Sequence, residues 1–340
     1  MRIPYEDRFA DLEPLLARVE KPSRYIDHEW GTLSKDDADY RACLIYPDTY
    51  EVGLPNQGIA ILYNVLNKQE GISCERGYVP WVDMADAMRE AGVPLLSLEG
   101  AAPVASFDVV GFHVPHEMAC TNYLEAMDLA GIPFYSADRG EDDPIIIAGG
   151  PSVYNPEPLA PFFDAILIGE GEESIVEVCR EHQRLRDAGA TRQEILRGLA
   201  RVAGTYVPSL YEIKYDEPCT EHGYAVPREG EDVPEVVYKR VVEGFGATDP
   251  LSPSVIPYAR LVHDRLSVEV LRGCARGCRF CQAGITYRPV RERSADQIVS
   301  AVTRGLAKTG YDEVSLTSLS TTDHSCCEQI LSRLNRRLED

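Results

Sequence analysis

Three cysteines, Cys274, Cys278 and Cys281, stand within eight residues in the segment LRGCARGCRFCQAG, spaced C-x3-C-x2-C. Thiolates this close together on a Gly-containing loop can converge on one soft metal centre. Their number is informative. A structural zinc or a fully ligated iron-sulfur cluster takes four ligands, so three imply either a distant fourth or an open position. His324, Cys326 and Cys327 follow the next apolar run and are the candidates to complete a zinc site. Six arginines, Arg272, Arg276, Arg279, Arg288, Arg291 and Arg293, crowd the same region. One or two of them suit a carboxylate, a phosphate or an anionic cluster, and the rest are expected as solvated surface charge.

A second group of residues with chemical meaning is glycine-rich. Gly149-Gly150-Pro151 and Gly169-Glu170-Gly171 are expected to line a crevice, because glycine permits close backbone approach or a tight turn. Glu170 and Glu172 add negative charge to that rim and disfavour a phosphate ligand unless Lys or Arg intervenes. His113 and His116 sit near a strand end and are read as satisfied polar residues rather than ligands.

The elements that position these residues follow from hydrophobic periodicity. LSVEVL (266–271) alternates as a strand ahead of the cysteines, and SADQIVSAVTRGLAKTG (294–310) is a helix with Ser294 and Gln297 as a capping box and Gly310 at its end. DEVSLTSL is a second strand. Ser325 and Glu328 are expected to cap a further helix with the apolar stripe Ile330, Leu331, Leu334 and Leu338, giving two βα units. Upstream, apolar runs at 42–47, 94–100, 108–115, 144–150 and 164–172 alternate with helical patterns at 58–68, 84–92 and 116–131. That alternation predicts an α/β fold with a flavodoxin-like, doubly wound parallel sheet, whose ligands would sit at the carboxyl ends of the strands. The resulting division is a helical extension over 1–40, the sheet domain over 41–182, a connecting element and linker over 183–253, and a second α/β unit over 254–340. The connecting element holds a helix at 192–202 and a strand in TYVPSLYEIKY.

A chain of 340 residues with 44% hydrophobic content can bury two cores. The opening MRIPYEDRFADLEPLL has no continuous apolar stretch, and no later run reaches the ~18 apolar residues of a membrane span. A soluble, cytoplasmic protein with no membrane association is expected. The ten cysteines are irregularly spaced, which favours reduced thiols, and Cys43, Cys74, Cys120, Cys179 and Cys219 read as dispensable small hydrophobes. Residues 251–340 hold 13 Lys+Arg and 10 Asp+Glu, leaving −24 of the total −21 on the first 250. That acidity argues against nucleic-acid binding by the N-terminal domain.

The motif Cys274-x3-Cys278-x2-Cys281, with Phe280 just before the last cysteine, is similar to the cluster loop of the radical S-adenosylmethionine (SAM) superfamily. The segment IIIAGGPSVYNPEPLAPFFDAILIGEGEESI resembles that of members with a cobalamin-binding-like domain ahead of the barrel. The resemblance implies a 4Fe-4S cluster on the three cysteines, SAM on its open iron, reductive cleavage to a 5′-deoxyadenosyl radical, and an electron donor such as flavodoxin or ferredoxin. It places Phe280 near the adenine. Where the family often has Gly-Gly-Glu to hold the SAM amino group, this chain has Thr317-Ser318-Leu319-Ser320-Thr321, so Ser318 and Ser320 become the candidates. The Asp-x-His-x-x-Gly signature of cobalamin binding is absent. Cobalamin is therefore possible but not favoured, and the N-terminal domain is expected to act as a docking or shielding lid. Because only two βα units are present, the expectation is a fragment or half of a split protein, with a second chain completing the barrel. The alternative is a non-catalytic corrinoid- or nucleotide-binding module with structural zinc at the same cysteines.

Overall fold

Near-continuous apolar runs such as IIIAG can be buried on both faces, and in the computed structural model they form the centre of a parallel sheet. Residues 5–33, 35, 38–215, 223–247 and 255–338 are described. Strands β1 (Tyr40–Tyr46), β2 (Ile72–Tyr78), β3 (Val109–His113), β4 (Ile145–Gly149) and β5 (Ala165–Leu167) run parallel in the order β2-β1-β3-β4-β5, and β6 (Thr205–Tyr206) joins β5 antiparallel. This is the expected flavodoxin-like order, with its switch point between β1 and β3.

Helices α1 (Tyr5–Leu16), α2 (Tyr50–Gly53), α3 (Gln57–Asn67), α4 (Val82–Ala91), α5 (Cys120–Ala130), α6 (Gly171–Asp187) and α7 (Arg192–Leu199) surround it. Contacts of α3 with α6, and of α4 with α1 and α5, cover the two faces. Residue 182, expected as a domain boundary, lies inside α6. The first core also continues beyond it, through Leu196, Leu199 and Tyr206 to Tyr211.

One expected strand is corrected here. The apolar run at 94–100 is not a strand of the sheet and makes only an isolated bridge, Leu96 to Pro103. The edge strand is instead β2, whose sequence ISCERGY lacks the apolar pattern because its charges are buried in pairs. Arg76 meets Glu29 and Glu99 at 2.5 Å each, and Glu75 meets Arg41 at 3.1 Å. The segment 94–100 covers this edge, with the Leu98 N–H donating to the Arg76 carbonyl at 2.8 Å.

TYVPSLYEIKY is broken at Pro208 into β6 and β7 (Tyr211–Tyr215), and β7 forms a hairpin with β8 (Gly223–Pro227). Cys219 lies outside the described residues.

The second unit is built from β9 (Leu266–Glu269), β10 (Leu271–Arg272), β11 (Arg291–Glu292) and β12 (Val314–Thr317), with α8 (Ala283–Thr286), α9 (Ala295–Thr309) and α10 (Cys327–Leu338). Strands β9 and β12 pair in parallel around α9, and β10 pairs antiparallel with β11. The expected βα order is present. Ser294 and Gln297 form the capping box of α9, and Gly310 closes it. Ser325 does not cap α10, because its backbone N–H and hydroxyl both go to the Glu292 carboxylate. Ile330 and Leu334 are buried against α9, whereas Leu331 is half exposed, so the apolar stripe is narrower than expected. No described helix is long and apolar enough to cross a membrane.

Candidate functional site

The carboxyl ends of the two parallel sheets face each other across a cavity of about 400 Å³. Gly149, Gly150, Gly169 and Gly171 line it from the first sheet, and Glu269, Gly273 and Ser318 from the second unit. The four glycines and Ser318 were named from the sequence, whereas Glu269 and Gly273 were not. Cross-strand register puts His113, Gly149 and Leu167 side by side on one face of β3, β4 and β5, at the carboxyl end beside the switch point.

The crevice glycines do not all serve the same purpose. Gly150 has φ +129°, and a Cβ there would lie 2.8 Å from the Val114 carbonyl oxygen. Gly169 has φ +111°, and its Cβ would collide with the Arg240 backbone, which pairs with it as a bridge. At both positions the close approach comes from the protein's own chain. At Gly149 the nearest foreign atoms to a Cβ are those of Leu167, at 3.9 Å, so this position has room toward the cavity.

Opposite charges converge on one rim. Glu170 accepts from Arg291, at 2.7 Å through Nη1 and again through Nη2, and from the Val242 N–H at 2.6 Å. Arg272 meets Glu172 at 2.7 Å and forks onto Glu269 at 2.9 and 3.0 Å. The guanidinium groups of Arg272, Arg291 and Arg293 pack over the Phe245 ring at 4.8, 5.6 and 4.1 Å from its centre. Burial alone would raise the Glu170 pKa, but the Arg291 hydrogen bonds and the Val242 N–H hold it below the usual carboxylate range. Three of the six arginines, where one or two were expected, therefore find a carboxylate or ring across the joint. The paired signals were GEGE and RERS, far apart in sequence. Arg276, Arg279 and Arg288 are exposed, as expected.

The cysteine loop runs between β10 and β11 and is pinched at its base by their pairing. Cys274 is buried, Cys281 is half-buried and Cys278 is exposed. The Cys274 sulfur accepts the Arg276 N–H and the Cys281 sulfur the Gly284 N–H, each at 3.4 Å. The donor set suits an iron-sulfur cluster in its chemistry: thiols only, with backbone N–H groups directed at sulfur. As placed, no three described His, Cys, Asp or Glu side chains are grouped to hold a metal ion. His324 is occupied elsewhere, as its Nε2 bonds the Arg293 carbonyl at 2.9 Å and its Nδ1 accepts the Cys326 N–H at 3.0 Å.

Of the remaining candidates, Ser318 bonds the Thr321 hydroxyl at 2.8 Å at the edge of the cavity. Ser320 is turned away and donates to Asp323 at 2.7 Å. Asp323 in turn takes the Arg276 fork, and that pairing, aided by Ser320, lowers its carboxyl to about 2. Phe280 is 92% exposed and does not line the cavity. His116 is exposed, but His113 is not the satisfied residue expected. It stacks on Tyr46 at 5.4 Å and bonds no described residue, while burial, with His116 nearby, lowers its pKa to about 4. Gln57, Tyr154 and Tyr287 also line the cavity; Tyr154 lies in the glycine loop after β4 that the sequence pointed to, whereas nothing in the sequence context of Gln57 and Tyr287 marked them.

Two family models match the sequence that builds these units. "Radical SAM proteins, N-terminal" matches residues 58–208 and "Radical SAM superfamily" matches residues 268–339, together about two thirds of the chain. The chain belongs to the radical SAM superfamily. It is 22% identical over 294 residues to the uncharacterized protein MJ0966 of Methanocaldococcus jannaschii, a match covering 86% of this chain and 52% of that protein. The chain thus spans about half the length of the curated relative it matches.

Proposed function

We propose that the chain is the cluster-bearing part of a radical SAM enzyme, with Cys274, Cys278 and Cys281 holding three irons of a 4Fe-4S cluster. The observation that carries this reading is the three-thiol loop at the carboxyl end of β9, closed at its base by β10 and β11 beside the cavity. When bound, such a cluster supplies the electron that cleaves the SAM sulfonium to methionine and a 5′-deoxyadenosyl radical.

The chain's own residues position and shield. The Ser318 hydroxyl, at the cavity edge after β12, is suited to accept from the SAM amino group. The Glu170–Arg291 and Glu172–Arg272–Glu269 pairs fix the loop's base against the first sheet, and the aliphatic wall opposite excludes water from a reactive radical. Arg279 and Arg288, beside the Asp323-paired Arg276, give the outer face of the loop a positive rim, which complements an acidic one-electron donor such as flavodoxin or ferredoxin. All nine described cysteines are free thiols, in keeping with work in the cytoplasm.

The test is spectroscopic. After anaerobic reconstitution and reduction, adding SAM should change the electron paramagnetic resonance signal of the cluster. A reduced cluster whose signal is indifferent to saturating SAM overturns the assignment.

A further inference from the structure

The cavity has two unlike walls. On the second unit's side every charged group has a partner: Arg272 is shared among Glu172, Glu269 and Glu170, and Arg291 forks onto Glu170. Among the described residues that line the cavity no cation is left over for a phosphate or carboxylate, and the N-terminal turn of α6 already carries Glu172 and Glu173 at its positive end. On the first sheet's side the wall below the Glu170 and Glu172 rim is mostly aliphatic and aromatic, including Leu62, Ile147, Leu167 and Ile175, with Gln57 at its margin and the Tyr154 hydroxyl committed to the Thr286 carbonyl. It holds one histidine with no hydrogen bond to the described residues, His113.

We propose that this wall receives the uncharged, apolar part of the enzyme's substrate, with His113 as the group that hydrogen-bonds its single polar atom. The inference rests on the radical SAM reading for the word substrate, but the binding chemistry stands on the cavity alone. A cavity of about 400 Å³ lies at the lower end of the range for drug-sized ligands, and apolar walls with few polar groups are the usual recognition surface for such molecules. Against this wall, away from the Ser318 edge, a charged group would stand without a counter-ion, which apolar surroundings penalise heavily. A neutral imidazole offers one acceptor and one donor, and stacking on Tyr46 fixes the ring while leaving its nitrogens uncommitted. Burial keeps His113 neutral at pH 7. Gly149, next to His113 in register, sets the depth, because it is the crevice glycine where a side chain would enter free space.

Three probes sharing one ring scaffold test this on the chain as isolated, without a cluster. N-phenyl-1-naphthylamine is uncharged with one N–H, 1-benzylnaphthalene replaces that N–H by CH2, and 8-anilinonaphthalene-1-sulfonate adds a charge. The naphthylamine should bind saturably, one per chain, and the sulfonate at least about tenfold more weakly. In competition, the benzyl analogue should bind about fivefold more weakly than the naphthylamine, a difference that His113→Phe abolishes. Gly149→Phe should weaken the naphthylamine about tenfold by filling the pocket. Equal affinity for the sulfonate, or naphthylamine binding unchanged by both substitutions, overturns the inference. Probe binding as expected in a chain that loads no cluster would leave the apolar site standing and sink the radical SAM chemistry instead.

Discussion

The two parallel sheets meet at their carboxyl ends but are held by different forces. The first is buried on both faces, and its core runs from Leu12 in α1 to Tyr211 at the start of β7. The second unit has a two-stranded parallel sheet, a core of eleven buried apolar residues among those described and a strand, β12, that is only half-buried throughout. What it lacks in apolar burial it draws partly from the joint, where Arg272, Arg291 and Arg293 gather around Phe245 and Glu170. The loop that carries the cysteines therefore depends on ion pairs with the neighbouring unit as well as on its own packing. An ion pair with one member removed leaves a charge stranded in a poorly solvated site, so this joint is far less tolerant of single substitutions than an apolar core of equal size.

That contrast can be broken most severely at Arg272. Its replacement by Ala strands Glu172 and Glu269 and should destabilise the second unit by about 3 kcal/mol, with much less effect on the first. Calorimetry should then resolve two transitions, with the lower one moved down, and limited proteolysis should begin in the 273–290 loop. A single unshifted transition would show that the joint is not what holds the loop.

Gly169→Ala tests the first sheet in the same way. Positive φ and the Arg240 backbone leave no room for a Cβ, so a loss of about 2 kcal/mol is expected in urea unfolding. Gly149→Ala, which meets neither obstacle, should change stability little.

These two cases also mark what was legible in the sequence. Periodicity gave the parallel order, the βα order of the second unit and the glycines of the crevice, because apolar runs and caps are local signals. It missed β2, whose Glu75 and Arg76 are buried only because Arg41, Glu29 and Glu99 come from elsewhere in the chain. It did not single out Arg272, Arg291 and Arg293 among the six arginines for the same reason: a charge reads as surface until its distant partner is known. Phe280 and Ser320 were assigned by family resemblance, and their side chains point away from the cavity.

The smallest expected effect concerns pH. His113 and His182 are both held neutral by burial, each with its pKa lowered to about 4 from 6.5. The unfolded chain takes up these protons first, so stability present above pH 6.5 is lost progressively as pH falls through 4. His113→Phe should remove one of the two contributions, and the fall in melting temperature across that window should shrink measurably. An unchanged pH profile would mean that His113 is better solvated than its packing implies.

The most direct measurement of the central claim is iron and acid-labile sulfide content after anaerobic reconstitution. The expected result is about four of each per chain, lost when any one of Cys274, Cys278 or Cys281 is replaced by Ala. Replacing the buried Cys43, Cys74 or Cys179 by Ala should leave the content unchanged. Loading that survives in all three loop variants would contradict the assignment of the cluster to this loop.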